Sequence, residues 1–220
     1  MPRYGTIDFD YAATMSECDP AADGPIYLLN LMKYRARADY GHRGEHPAGA
    51  GDISGRDADD QYLPVDVLAA IGAAPCFLAD VVGASEDWDR VGVVRYPTRR
   101  SFIEMQSRKD FKEKHVHKEA GMDHTTVMGT LPGSDGQLPA SARATRGRVL
   151  LEVWRADPPA QPVMAGEATT VTFAVEGTIV GDGRTWDGAR YTTFAGDLAL
   201  PAGGRDYQVL LLAPSFERWS

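Results

Sequence analysis

Residues 25–34, Pro-Ile-Tyr-Leu-Leu-Asn-Leu-Met-Lys-Tyr, are apolar on both faces of an extended chain. Ile26, Leu28 and Met32 fall on one side with Asn30, and Tyr27, Leu29 and Leu31 fall on the other with Lys33. An antiparallel sheet ordinarily leaves one face wet, so a strand dry on both sides predicts a cover for each: helices over one and a second sheet over the other. Residues 41–60, glycine-rich and carrying His42 and His46, read as a loop long enough to act as a lid. Ala58, Tyr62, Val65, Leu68 and Ala69 then give a helical stripe ending near Gly72. Residues 76–84 and 90–96 read as strands joined by a Glu-Asp-Trp-Asp turn. Pro97-Thr98 caps a helix running to about residue 119 with a break near Ser107, and residues 124–130 read as a fourth strand.

That order, β-α-β-β-α-β, is the split ferredoxin-like unit, and the chain repeats it. Val81-Val82-Gly83-Ala84-Ser85-Glu86-Asp87-Trp88-Asp89 returns as Ile179-Val180-Gly181-Asp182-Gly183-Arg184-Thr185-Trp186-Asp187. Likewise Leu29-Asn30-Leu31-Met32-Lys33 is paralleled by Leu151-Glu152-Val153-Trp154-Arg155. Strands are expected at 149–155, 170–180, 189–194 and 207–213. The intervening 156–169 and 195–206, broken by Pro158, Pro159, Pro162, Pro201, Gly203 and Gly204, disfavour full helices. The expected organisation is a first repeat over 1–132 with its leader and lid loop, a linker over 133–147, and a helix-poor second repeat over 148–220.

Several residues of the first repeat recur in order in a known family. They are Asn30-Leu31-Met32-Lys33-Tyr34 with Ala38 and Tyr40, Ser54-Gly55-Arg56-Asp57-Ala58 with Tyr62, Trp88-Asp89, and Tyr96-Pro97-Thr98-Arg99 with Phe102 and Met105. Phe111, His117-Lys118 and Ala120-Gly121-Met122 complete the set. On these, residues 25–132 resemble the family named domain of unknown function 1330, of the dimeric α/β-barrel superfamily. The family pattern has Arg where Lys118 stands, and the second half of the chain lies beyond its extent. The resemblance implies a ferredoxin-like unit whose sheet packs against a second sheet to form a barrel, and it implies no settled activity. Relatives in the superfamily include cofactor-free monooxygenases, lactone isomerases, polyketide cyclases and haem-binding enzymes. The expected fold class is therefore α+β: tandem ferredoxin-like repeats forming a dimeric-α/β-barrel-like antiparallel barrel within one chain, its lumen an asymmetric, mostly apolar site.

Composition narrows the partners. A chain of 220 residues with 43% hydrophobic and 25% charged content suits an ordinary globular protein. Its net charge of −8 disfavours nucleic acid, which demands clustered Lys and Arg. With neither a charged-then-apolar leader nor an apolar run of about 18 residues, a cytoplasmic protein with no membrane partner is expected. Cys18 and Cys76 have neither the number nor the spacing for a zinc site. A small-molecule substrate and a possible homodimer are the expected partners.

The candidate chemistry rests on polar residues placed among apolar ones. Asn30 and Glu152 occupy equivalent places; facing the lumen, Glu152 would gain a raised pKa suited to general acid or base work, with Asn30 orienting the substrate. The competing reading has Asn30 satisfying a backbone group and Glu152 paired with an arginine such as Arg190. Asp80 shares parity with Cys76, Leu78 and Val82, and Glu176 stands near the corresponding place, so a carboxylate pair in one cavity is open beside ordinary salt bridges. His117, in the family motif, is the preferred histidine for acid–base work. His115, in Phe-Lys-Glu-Lys-His, resembles the axial histidine of haem-degrading barrel monooxygenases; haem is the one cofactor considered, and no metal site is expected. Lys33, Tyr34, Tyr62, Trp88, Arg95, Trp154 and Glu176 are candidate substrate contacts, although Trp88 and Trp186, being repeated, argue first for structural anchoring. The expected function is cofactor-independent proton transfer on an apolar or polyketide-like molecule (cyclisation, isomerisation or dehydration). A haem-binding or cofactor-free monooxygenase and a non-catalytic binding protein are the alternatives.

Overall fold

The computed structural model describes residues 4–41, 52–62, 64–83, 87–133, 148–161 and 167–215. Its first half contains β1 (Thr6–Ile7), α1 (Phe9–Glu17), β2 (Ile26–Tyr34), α2 (Gly55–Gln61), α3 (Val65–Ala70), β3 (Ala74–Val81) and β4 (Arg90–Tyr96). It continues with α4 (Arg99–Met105), α5 (Lys109–Gly121) and β5 (Met122–Pro132). The second half contains β6 (Arg148–Trp154), β7 (Ala168–Gly181), β8 (Gly188–Phe194) and β9 (Tyr207–Pro214). Residues 42–51 of the expected lid and 134–147 of the expected linker lie outside the described residues. Inside the expected lid a helix begins: Ser54 caps α2 by accepting from the Asp57 amide, and the Asp57 carboxylate accepts from the Ser54 amide in return.

The expected fold class is corrected. All strands join one sheet in the order β1-β7-β5-β2-β4-β3-β9-β6-β8, every pairing is antiparallel, and β7 pairs with β8 to close the ring. Tandem ferredoxin-like α/β repeats with two sheets packed face to face are not what forms. The free edges of the first half, β3 and β5, are hydrogen-bonded to the free edges of the second, β9 and β7, so the halves share one eight-stranded closed barrel. Edge closure removes the unpaired N–H and C=O groups that two separate sheets would each expose. Among the described residues helices occur only in the first half, so the protein is a β-barrel with helices against part of its outer wall.

The lumen is filled. Leu29 and Leu31 of β2 point inward with Phe77, Val91, Met128, Leu151, Val153, Phe173 and Tyr191, all essentially without solvent contact. Tyr191 packs edge-on against both Phe77 and Phe173, at ring-centroid distances of 5.7 and 5.6 Å. The opposite face of β2 meets the helices: Ile26 and Leu28 pack with Leu68, Tyr96, Met105 and Phe111. The strand that reads as dry on both sides is thus covered by barrel filling within and helices without.

The repeated Trp-Asp phrase is a latch used twice. The Asp89 amide donates to Met32 O and the Asp187 amide to Trp154 O, each at 2.9 Å. Asp89 Oδ2 accepts from the Tyr34 amide at 2.8 Å, and Asp187 Oδ2 from the Ala156 amide at 2.7 Å. Asp89 therefore binds the end of β2 and Asp187 the end of β6, while Trp88 and Trp186 enter the core of the barrel. The glycine that turns the chain is offset between the copies. Gly83 and Gly183 take φ of +89° and +88°, whereas Gly181 remains in β7.

Helix α1 covers part of the wall beside β7. Gly129 and Gly177 are register partners on β5 and β7, and Tyr11 lies over them. The Tyr11 hydroxyl donates to Glu176 Oε1 at 2.9 Å, and Arg99 grips the same carboxylate. A Cβ at Gly177 would lie 2.6 Å from the Tyr11 ring. Gly177→Ala is therefore expected to cost about 1–3 kcal/mol by overpacking, read as a lower urea midpoint with an unchanged slope.

Candidate functional site

The described residues form a cavity of about 120 Å³ outside the barrel, between its wall and the helices. Its floor is the outer face of β2 and β4: Leu28, Asn30 and Met32 beside Arg90, Gly92, Val94 and Tyr96. Gly92 stands opposite Asn30 in register, and its missing side chain leaves the floor open there. Two helices supply the polar wall by simple periodicity. Phe111, His115 and Lys118 follow one face of α5, and Asp59 and Tyr62 lie one turn apart at the end of α2. The two helices approach closely because Gly55 and Gly121 meet: a Cβ on Gly121 would lie 2.2 Å from Gly55 O. Leu68, Phe102 and Met105 complete an apolar rim.

The polar groups are connected and partly desolvated. Lys118 Nζ donates to Asn30 Oδ1 at 3.4 Å and lies 5.4 Å from the centre of the Tyr62 ring. Burial holds the Lys118 amine below the ordinary lysine range, against the Asp59 charge, which favours protonation. Burial also raises the Asp59 carboxyl, opposed by Lys118, by the Tyr34 hydroxyl donating at 2.6 Å and by Arg90 at 3.4 Å. Arg90, its side chain 3% exposed, additionally pairs with Asp60 at 2.7 Å and Asp80 at 3.2 Å. Its Nη2 is buried without a hydrogen-bond partner among the described residues. The Tyr62 phenol is pushed well above its usual range by burial, so it is a neutral hydroxyl at any ordinary pH.

Several sequence expectations are corrected by this geometry. Asn30 and Glu152 do not face a shared lumen; both point outward, on different parts of the wall. Glu152 is fully buried against Arg190, which donates from Nε to Oε2 at 2.7 Å and from Nη2 to Oε1 at 2.8 Å, while the Tyr207 hydroxyl also donates to it. Arg190 further donates to Pro159 O and Ala160 O and lies 5.7 Å from the Trp154 ring, so Glu152 and Trp154 belong to a structural cap over β6 and β8. Asp80 and Glu176 do not form a carboxylate pair: Asp80 is held by Arg56 at 2.6 Å and by Arg90, and Glu176 by Arg99 and Tyr11. His117 lies away from the cavity face of α5, with its Nδ1 2.9 Å from the Tyr40 hydroxyl, and burial lowers its pKa.

Among the proposed contacts, Tyr62 lines the cavity, and Tyr34 stands behind its wall against Asp59, Arg90 and Met32. Lys33 pairs with Asp89 at 3.0 Å, Trp88 is core, and Arg95 is absent from the cavity wall. His115 does line the cavity, yet its Nε2 is 2.8 Å from the Tyr4 hydroxyl. A cavity of about 150 Å³ holds a benzene, so the present space does not fit a haem. Among the described residues no cluster of three or more His, Cys, Asp or Glu side chains is placed to hold a metal ion, and no helix is long and apolar enough to cross a membrane. Asp59 and Arg90 were not singled out from sequence, and Lys118 stood out only as a motif residue and not as a site candidate, although the Phe111–His115–Lys118 spacing on one helix face carries the signal.

No family model matches the chain, and no curated protein matches it. Solved structures similar to this chain include two. One, titled as the crystal structure of the methylated RPA0582 protein, is 22% identical, with 62% of this chain and 100% of that chain covered and a TM-score of 0.49. The other, titled as the RPA0582 protein of unknown function from Rhodopseudomonas palustris, a structural genomics target, is 22% identical, with 57% and 94% covered and a TM-score of 0.45.

Proposed function

We propose that this protein is a small-molecule enzyme that moves a proton on a compact, largely apolar substrate without a cofactor, by isomerisation, cyclisation or dehydration. One observation carries the reading. In a single apolar cavity an amine pushed down, Lys118, and a carboxyl pushed up, Asp59, are close enough to feel each other's charge. Groups whose pKa values are driven toward neutrality from opposite sides are suited to act as base and acid. Asn30 orients the Lys118 amine, Tyr62 offers a neutral hydroxyl, and Tyr34 and Arg90 hold the Asp59 carboxyl in place. The roles first expected of Glu152 and His117 pass to Lys118 and Asp59.

The size of the cavity sets the substrate: about one ring, on the scale at which a void of about 150 Å³ takes up benzene. A library of ring-sized alcohols, ketones and lactones, screened by thermal shift, is expected to yield ligands that stabilise the wild-type protein and not Gly92→Val, which fills the floor beside Asn30. Ligands that bind both equally would overturn the site. For a turned-over ligand, activity is expected to rise and then fall with pH, because the base is the free Lys118 amine and the acid is the protonated Asp59 carboxyl. That rise falls below the ordinary lysine value of 10.5, since burial favours the uncharged form. Binding without turnover would leave the protein a small-molecule carrier.

A further inference from the structure

Resting on that reading of the cavity, we infer that Lys118 is a nucleophilic amine that forms an imine with a small ketone or aldehyde carrying a second neutral oxygen. Three observations lead there. First, Lys118 lines an apolar cavity, and its direct contacts there are the neutral Asn30 carbonyl and the Tyr62 ring, with the Asp59 charge farther off. An amine held by neutral acceptors in an apolar pocket is the arrangement in which lysine attacks carbonyls.

Second, Asp59 is a carboxyl within electrostatic reach of that amine, positioned to carry protons through the condensation. The amine lone pair attacks the carbonyl carbon, forming the N–C bond, and the amine proton moves to oxygen to give a carbinolamine. Protonation of its hydroxyl by Asp59 releases water and leaves the iminium, from which transfer of a proton from the adjacent carbon to the Asp59 carboxylate gives an enamine and restores the acid. One water leaves, and no oxidant or reductant takes part.

Third, Arg90 selects what else the substrate carries. Arg90 lines the cavity, its guanidinium is already faced by Asp59, Asp60 and Asp80, and its buried Nη2 has no hydrogen-bond partner among the described residues. A guanidinium already faced by three carboxylates, of whose nitrogens Nη2 alone lacks an acceptor, calls for a neutral oxygen more than for another carboxylate. A ring-sized 1,3-dicarbonyl or hydroxyketone meets the volume, the amine and the donor together.

Acetylacetone tests this, because it condenses with a free lysine amine to a stable enaminone with a near-ultraviolet band. The folded, full-length protein is incubated with it near neutral pH, then followed by absorbance, intact mass and peptide mapping. The expected result is one equivalent added as diketone less one water, mapped to Lys118, forming at least about tenfold faster than at other lysines. Slowing is expected in Gly92→Val, whose nucleophile is intact, and loss in Lys118→Met. Modification spread over surface lysines, or absent from Lys118, overturns the imine. If thermal shift meanwhile shows ring-sized ligands binding in the cavity, the proton-transfer reading survives that failure; if none binds, both fall.

Discussion

Glu152→Ala is expected to destabilise the protein by about 3–5 kcal/mol. The carboxylate is fully buried and accepts two hydrogen bonds from Arg190, whose side chain is 6% exposed. Truncation leaves a guanidinium buried with only the carbonyls of Pro159 and Ala160 to bind and removes the acceptor of the Tyr207 hydroxyl. An uncompensated buried charge costs far more than the net worth of the pair, so replacing both partners, Glu152→Leu with Arg190→Leu, is expected to recover most of the loss. Urea unfolding followed by circular dichroism reads both variants. A carboxylate serving as an acid in an open site would behave differently, since its removal costs activity and leaves stability unchanged or improved.

Trp88→Ala is expected to cost about 3–5 kcal/mol and to leave ligand binding in the outer cavity intact. The indole is 4% exposed, packs in the barrel core, and donates from Nε1 to Gln208 Oε1 at 3.2 Å. Its loss opens a void in a filled lumen and strands a buried amide oxygen, two penalties at one position. Trp88 is not among the residues that line the cavity holding Lys118. Calorimetry gives the stability change, and thermal shift with a ligand of the wild-type protein gives the binding; a lower midpoint with an undiminished ligand-induced rise is the expected pair of results.

Strand positions were legible because alternation and turn residues are local. Asn30 and its neighbours read correctly as a strand dry on both faces, and among the described residues between β6 and β7 there is no helix, in keeping with Pro158 and Pro159. What lay on the other side of those faces was not legible, because edge-to-edge closure depends on pairings such as Ala79 with Pro214 that are remote in sequence. Asn30 and Glu152 stood at matching positions, but equivalence in a repeat fixes which way a side chain points, not what covers it. Asn30 found a helix bearing Lys118; Glu152 found Arg190 on the adjacent strand, the pairing that the sequence offered as the alternative to a catalytic role. His117 drew notice through its motif, whereas the spacing from Phe111 to His115 to Lys118 placed the neighbours of the cavity on one helical face. The repeated Trp-Asp phrase turned out to close the ends of two strands, a structural task that needs the same residues in both halves.

The central claim is that the working pocket lies outside the barrel wall with the Lys118 amine desolvated in it. Heteronuclear NMR of protein labelled at the lysine side chains, titrated with pH and assigned by comparison with Lys118→Met, measures this directly. The account predicts that the resonance lost in Lys118→Met titrates below those of the surface lysines and moves when a ring-sized ligand is added. A Lys118 resonance that titrates together with the exposed lysines and ignores every such ligand would contradict it.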